Sequence, residues 1–188
     1  MRNPVRPDMK RLIPLLALLL LPASATAATA DLGPHGTLSI TIPKDWTIAS
    51  QKEEDTGLVL VISPPADVNA KLVINVVFPL DRQPLSKEAV QEETNAAGDQ
   101  YVDASVEKKK VLREFKLSSG YGAYCVFTDA SMVGKPKEKD SFKMVGTGII
   151  WFNEDVKAGV TMVADDENGP DFAALLAAVS SATVSARK

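Results

Sequence analysis

The chain has 188 residues, of which 45% are hydrophobic and 24% are charged, as expected for a globular protein of one domain. A net charge of −3 argues against a nucleic-acid binder that relies on a basic surface. One cysteine and one histidine exclude a disulfide framework and a zinc site built from several such residues, and the HExxH motif is absent. We therefore expect no cofactor.

Residues 1–30 are typical of a secretory signal peptide. The apolar run Leu12–Leu21 follows four basic residues, Arg2, Arg6, Lys10 and Arg11. About ten apolar residues are well short of the roughly 20 that a membrane-spanning helix needs. We predict that residues 31–188 form a single exported domain, periplasmic or secreted, with no integral membrane segment after cleavage. Translation starts at Met1 or Met9, since Met9 also begins a compact signal of this kind.

Two A-x-A cleavage patterns follow the apolar run, Ala25-Thr26-Ala27 and Ala28-Thr29-Ala30, and the sequence does not choose between them. Cleavage after Ala30 removes four basic residues and Asp8, so the net charge changes from −3 to about −6. An acidic domain of this kind is not expected to bind nucleic acid or an anionic membrane.

Three strands are predicted in the first half of the domain. Leu38–Ile42 alternates apolar and polar residues and is closed by Pro43, after which a turn returns Trp46 to the core. Leu58–Ile62 and Lys71–Phe78 are apolar runs, which indicates strands buried on both faces or nearly so.

A helix is predicted from the N-cap Ser86 to about Val102, with a thin apolar stripe that indicates a helix lying on a sheet. The remaining predicted elements are strands Lys110–Leu117, Gly120–Asp129, Ser141–Phe152 and Val156–Ala164, and a closing helix from Asp171 to about Val184. This order predicts an α+β domain with a mostly antiparallel sheet of about six to seven strands and helices packed on it.

Several segments carry a resemblance to a known fold over roughly residues 37–184. In Leu38–Trp46 a strand ends in proline and then tryptophan, a Pro-Pro turn follows Leu58–Ile62, Leu72–Phe78 leads into a helix, and Phe172 lies in the closing helix. This pattern resembles the PsbP-like α/β/α sandwich of the photosystem protein PsbP and of bacterial DcrB-type envelope proteins. The resemblance implies an accessory, binding or assembly protein without a shared catalytic set. No segment aligns with the functional N-terminal region of the photosynthetic members, so a photosystem role is not inferred.

Two groups of residues are candidates for binding. The loop 134–140 carries Lys135, Lys137 and Lys139, which either contact a partner or form a solvated hairpin tip. Trp46, Trp151 and Tyr124, with Tyr121 and Phe142, either line an apolar pocket or belong to the core of the sheet.

No catalytic constellation is recognised in the sequence. Asp165, Asp166, Glu167 and Asp171 form the densest group of carboxylates, but they lack calcium-loop spacing and are expected in a solvated loop before a helix. Cys125 lies in an apolar run and is expected to be buried, and His35 is the one histidine available to activate it.

We therefore predict an exported, non-catalytic binding protein, a monomer or weak oligomer, whose partner is an envelope protein or a small apolar ligand. Two alternatives remain open. One is an envelope hydrolase that uses carboxylates, and the other is an immunity protein for a secreted toxin.

Overall fold

A computed structural model describes residues 25–53, 57–82, 85–136 and 138–187. The α-helices are α1 (Lys87–Val102) and α2 (Pro170–Ser180). The strands are β1 (Ala25–Asp31), β2 (Thr37–Pro43), β3 (Thr47–Glu53), β4 (Gly57–Ser63), β5 (Lys71–Val77), β6 (Arg113–Glu114), β7 (Tyr121–Thr128), β8 (Met144–Asn153), β9 (Val156–Ala164) and β10 (Thr183–Ser185).

The strands form two sheets in which every pair is antiparallel. The larger sheet has seven strands in the order β3-β4-β5-β9-β8-β7-β6, and the smaller has three in the order β1-β2-β10. The predicted α+β class with a mostly antiparallel sheet is therefore confirmed.

The main core lies on one face of the seven-stranded sheet, beneath α2 and the small sheet. Helix α2 packs against β2 and β9, and Phe172 and Leu175 are fully buried there. Alternate residues of the central strands point to the same core, among them Leu60, Ile74 and Met162.

Helix α1 packs against β7 and β8 on the opposite face of the sheet. It begins after the predicted N-cap, since the Ser86 hydroxyl accepts a hydrogen bond from the Ala89 amide at 3.1 Å. A second core cluster forms below it from Val90, Ala123 and Trp151. The structure thus places one helix on each face of the large sheet.

Three elements differ from the sequence prediction. Residues 47–53, for which the sequence predicts no helix or strand, form the edge strand β3. The predicted strand Lys110–Leu117 is reduced to the two residues of β6. The closing helix ends at Ser180 rather than near Val184, because Thr183–Ser185 turns away to pair with β2 as β10.

The predicted burial of both strands on both faces, or nearly so, is wrong for β5, where Asn75 and Val77 are exposed, and is only partial on the second face of β4. Leu58, Leu60 and Ile62 are buried in the main core, whereas Val59 and Val61 are half-buried. The reason is that α1 packs on β7 and β8, near the other end of the strand order, and does not cover β4 and β5.

The basic and apolar parts of the predicted signal peptide lie outside the described residues. The small-residue tract from Ala25 to Ala30, assigned to the signal by sequence, forms most of β1 and pairs with β2.

Candidate binding face and apolar pocket

The face of β4, β5 and β9 that points away from the main core carries an apolar strip. Val61 of β4 pairs with Val73 of β5, which pairs with Thr161 of β9, and cross-strand partners lie on the same face of a sheet. Val59 lies two residues from Val61 and so points the same way. We call these four half-buried residues, Val59, Val61, Val73 and Thr161, the valine face.

The valine face is open at its border on β9. Gly159 lies two residues before Thr161 and so on the same face, and within the described part of the chain no atom lies within 4 Å of a Cβ built on it. Asn75, its partner on β5, is exposed. This half of the sheet is therefore accessible to a binding partner.

An apolar pocket of about 280 Å³ adjoins the same face at the end of α1. Val163 of β9 pairs with Val145 of β8, which pairs with Phe127 of β7, and all three line the pocket. Tyr101 in the last turn of α1 stacks on Phe127 with ring centroids 5.5 Å apart. Phe142 and Met144 complete its apolar lining.

The polar groups on the rim of this pocket already have hydrogen-bond partners. The buried Ser105 hydroxyl donates to the Val102 carbonyl at 2.9 Å and accepts from the Lys108 amide at 3.1 Å. The Asp129 carboxyl interacts with the Ser131 side chain and accepts a hydrogen bond from the Ser131 amide at 2.8 Å, and these two contacts lower its pKa. A molecule in the pocket is therefore held mainly by apolar contact and shape.

Glu107 fixes the strand end that forms part of the rim. Its carboxylate accepts one hydrogen bond from the Thr128 amide at 2.9 Å and another from the Thr128 hydroxyl at 2.7 Å. Partial burial raises the pKa of Glu107, but the Thr128 hydrogen bonds together with its own amide outweigh burial, so the net pKa is lowered. This contact holds the end of β7 under the loop that follows α1.

The loop that carries the candidate lysines borders a second cleft, of about 520 Å³. Lys139 lines this cleft, Lys135 is exposed outside its lining, and Lys137 lies outside the described residues. The charged residues of its lining are two lysines, Lys71 and Lys139, and five acids, so we call it the acidic cleft; the acids are Asp67, Glu138, Asp140, Asp165 and Asp171. The lysines are not gathered into a basic surface in the described residues.

Asn69 is the residue that fixes this loop. Its side-chain amide donates to the carbonyl of Ser141 and to Asp165 Oδ1, both at 3.1 Å, and its oxygen accepts from the Asp140 amide at 3.2 Å. The loop is thus attached to the turn between β4 and β5. Phe142, which follows the loop in the chain, lines both the acidic cleft and the apolar pocket.

The three candidate aromatic residues do not share a pocket among the cavities found in the described residues. Trp46 is half-buried against the main core, and Tyr124 is buried and stacked on Phe115 at 4.7 Å. Trp151 is buried on the opposite face of the sheet, beneath α1. Of the wider aromatic set, Phe142 lines the apolar pocket. Tyr101, Phe127, Val145 and Val163 are pocket residues that the sequence did not single out.

Trp151 belongs to the rim of a further surface groove beside α1. The Lys157 ammonium lies 5.0 Å from the centre of its indole ring and 3.1 Å from the Glu93 carboxylate. This arrangement combines a cation–π contact with an ion pair and ties β9 to α1.

The carboxylates before and at the start of α2 have structural roles. Asp166 accepts a hydrogen bond from the Asn168 amide at 2.9 Å, Glu167 forms an ion pair with Arg113, and Asp171 lies in the first turn of α2. Among the described residues, no group of three or more His, Cys, Asp or Glu side chains is arranged to hold a metal ion.

Cys125 and His35 are each packed against other groups. Cys125 is fully buried, as predicted, and burial raises the pKa of its thiol. His35 stacks on Phe78 with ring centroids 4.1 Å apart and planes 9° from parallel. A raised thiol pKa disfavours the thiolate that a cysteine nucleophile needs.

The arrangement of sheets and helices defines a PsbP-like fold, in agreement with the resemblance seen in the sequence. The chain is similar to the solution structure of cyanobacterial PsbP (CyanoP) from Synechocystis sp. PCC 6803, with a TM-score of 0.51 and 10% sequence identity. The match covers 88% of this chain and 95% of that one. At this identity the likeness concerns the fold alone.

No family model matches the chain, and no curated protein matches it. The likeness to DcrB-type envelope proteins stays a prediction. Within the described residues, the helices are too short or too polar to cross a membrane.

Proposed function

We propose that this is an exported, non-catalytic binding protein that holds a small apolar ligand in the pocket at the end of α1. The observation that carries the proposal is the pocket lining, in which Tyr101, Phe127, Phe142, Val145 and Val163 converge on one space. Aromatic and aliphatic side chains with a few polar groups at the rim are the usual composition of a small-molecule site.

The size and the rim of the pocket restrict the class of ligand. A volume of about 280 Å³ lies near the lower end of the usual range of roughly 300–1,000 Å³ for ligand pockets. A short acyl chain or a small ring system fits this space better than a large cofactor. The rim carboxylate of Asp129 disfavours an anionic group beside it, so a neutral ligand is expected.

Titration with N-phenyl-1-naphthylamine, a neutral apolar fluorophore, tests the proposal. We expect saturable binding of one probe per chain. Val145→Phe places a larger side chain in the pocket and should lower the affinity by about tenfold or more. Val73→Phe is the matched control, because it makes the same change on the same face, outside the pocket lining. Equal effects of the two substitutions, or no saturable binding, would contradict the proposal.

A second candidate function is docking to an envelope protein, and the valine face is the observation that favours it. Half-buried valines on adjacent strands give a flat apolar surface that a partner protein can cover. The two candidates use adjoining surfaces of the same domain.

A crosslinked pull-down from an envelope extract distinguishes this candidate from the first. We expect one partner at near-equal stoichiometry, lost with Val61→Lys and kept with Gln51→Lys. Gln51 lies on the exposed edge strand β3, so the control adds the same charge beside the valine face. Retention of the partner in both variants would exclude the valine face as its docking surface.

A further inference from the structure

The two halves of β1 contribute differently to the folded domain. Ala25, Thr26 and Ala27 are exposed, whereas Ala28 and Ala30 are partly buried and pack against the main core. The strand therefore begins to contribute apolar contacts at Ala28. This position follows directly after the first of the two predicted cleavage patterns.

The two patterns leave very different amounts of β1 behind. Cleavage after Ala27 keeps four paired positions with β2, of which Ala28 opposite Ile40 and Ala30 opposite Leu38 are the core-facing ones. Cleavage after Ala30 keeps Asp31 alone, opposite Thr37. Only the first pattern leaves a strand.

Losing the whole strand would expose β2. On its other side β2 pairs with β10 only from Thr37 to Ser39, so in the described structure Ile40 depends on Ala28 of β1 for its ladder partner. Only the cut after Ala27 keeps this pair, whereas both cuts remove Thr26, the partner of Ile42. Ile40 is nearly fully buried, at 2% exposure. An unpaired strand next to buried isoleucines is a template for aggregation.

We propose that export processing cuts the chain between Ala27 and Ala28. The inference rests on the proposed export of the protein. Water hydrolyses the Ala27–Ala28 peptide bond at a signal peptidase, leaving the carboxylate on Ala27 and an ammonium on Ala28. The mature protein then begins with the half of β1 that packs against the core.

The first test is the intact mass and N-terminal sequence of the protein recovered from the periplasm after expression of the full chain. We expect a mature chain that begins at Ala28. A chain that begins at Asp31, or at any other residue, overturns the inference but leaves export intact. A full-length chain that stays in the cytoplasm overturns both.

Two substitutions sharpen the test, because each removes the small residue directly before one of the two predicted cuts. Ala27→Lys should reduce the product that begins at Ala28 by about tenfold or more, either by stopping processing or by moving it to the second pattern. Ala30→Lys introduces the same charge three residues later and should leave cleavage after Ala27 at the wild-type rate. If Ala30→Lys stops processing while Ala27→Lys does not, the second pattern is the cleavage site and the inference is wrong.

Discussion

Two regions of the same sheet face carry apolar side chains but differ in what covers them. Over β7 and β8, helix α1 packs on the sheet and buries Ala123 and Trp151. Over β4, β5 and β9, the residues of the valine face remain half-buried. A continuous apolar run therefore predicts a strand that can be buried on both faces. Whether the second face is covered within the chain or is open to a partner depends on where the helix packs.

The largest expected effect contrasts the two faces of β4. Leu60 is 1% exposed in the main core, so Leu60→Ala should lower the free energy of unfolding by about 3 kcal/mol through lost contacts and the cavity that remains. Val61→Ala, one residue later on the valine face, should cost about 1 kcal/mol or less because water already reaches that side chain. Urea unfolding of both variants measures the difference. Equal losses would mean that the valine face is covered by the chain itself.

A smaller effect contrasts two glycines on neighbouring strands. A Cβ on Gly148 of β8 would lie 2.5 Å from the Ala123 carbonyl oxygen and 2.8 Å from Phe115, so Gly148→Ala should destabilise the protein by about 2 kcal/mol. A Cβ on Gly159 of β9 meets no described atom within 4 Å. Gly159→Ala should therefore be neutral or stabilise by up to about 1 kcal/mol, because alanine restricts the unfolded chain.

Thermal unfolding of the two glycine variants checks this contrast. We expect a lower melting temperature for Gly148→Ala and an unchanged or higher one for Gly159→Ala. A loss of stability in Gly159→Ala would show that the open space over Gly159, at the border of the valine face, is filled in solution.

The sequence predicts those elements whose signals are local. Strict alternation in Leu38–Ile42 predicts β2, and the Ser86 N-cap predicts the start of α1 to within a residue. Strand β3 gives no such signal, because its residues from Thr47 to Lys52 are exposed and neither face needs apolar side chains. Thr183 and Val184 are predicted as helix because their pairing with β2 depends on a strand far away in the chain.

The candidate pocket could not be predicted for a related reason. Tyr101, Phe127, Val145 and Val163 lie on one helix and three strands, and their convergence depends on the register between β7, β8 and β9. Each residue on its own is an ordinary apolar position of its element. The sequence identifies Phe142 as one of the aromatic residues that could line a pocket. Its place between the pocket and the acidic cleft depends on the hydrogen bonds that hold the adjoining loop to Asn69.

The smallest expected effect concerns the hydrogen bonds between Glu107 and Thr128, beside the part of the sheet that α1 covers. The hydrogen bonds from Thr128 lower the pKa of Glu107 below its ordinary value of 4.5, so the folded state binds its proton less readily than the unfolded state. This stabilisation is present above the unfolded pKa and is lost as the pH falls through the folded pKa. Glu107→Gln replaces one accepting oxygen with an amide that cannot accept from Thr128, and should cost about 1 kcal/mol at pH 7.

The difference in unfolding free energy between the wild type and Glu107→Gln should therefore be constant at neutral pH and shrink below about pH 4.5. Glu92→Gln removes the same charge from an exposed position of α1 and serves as the control for net charge. Because Asp129 on the pocket rim also has a lowered pKa, only the difference between variant and wild type isolates Glu107. If the difference in unfolding free energy stays unchanged down to pH 2.5, about two units below the ordinary pKa of Glu107, then packing, rather than the carboxylate, holds the end of β7 beside the pocket.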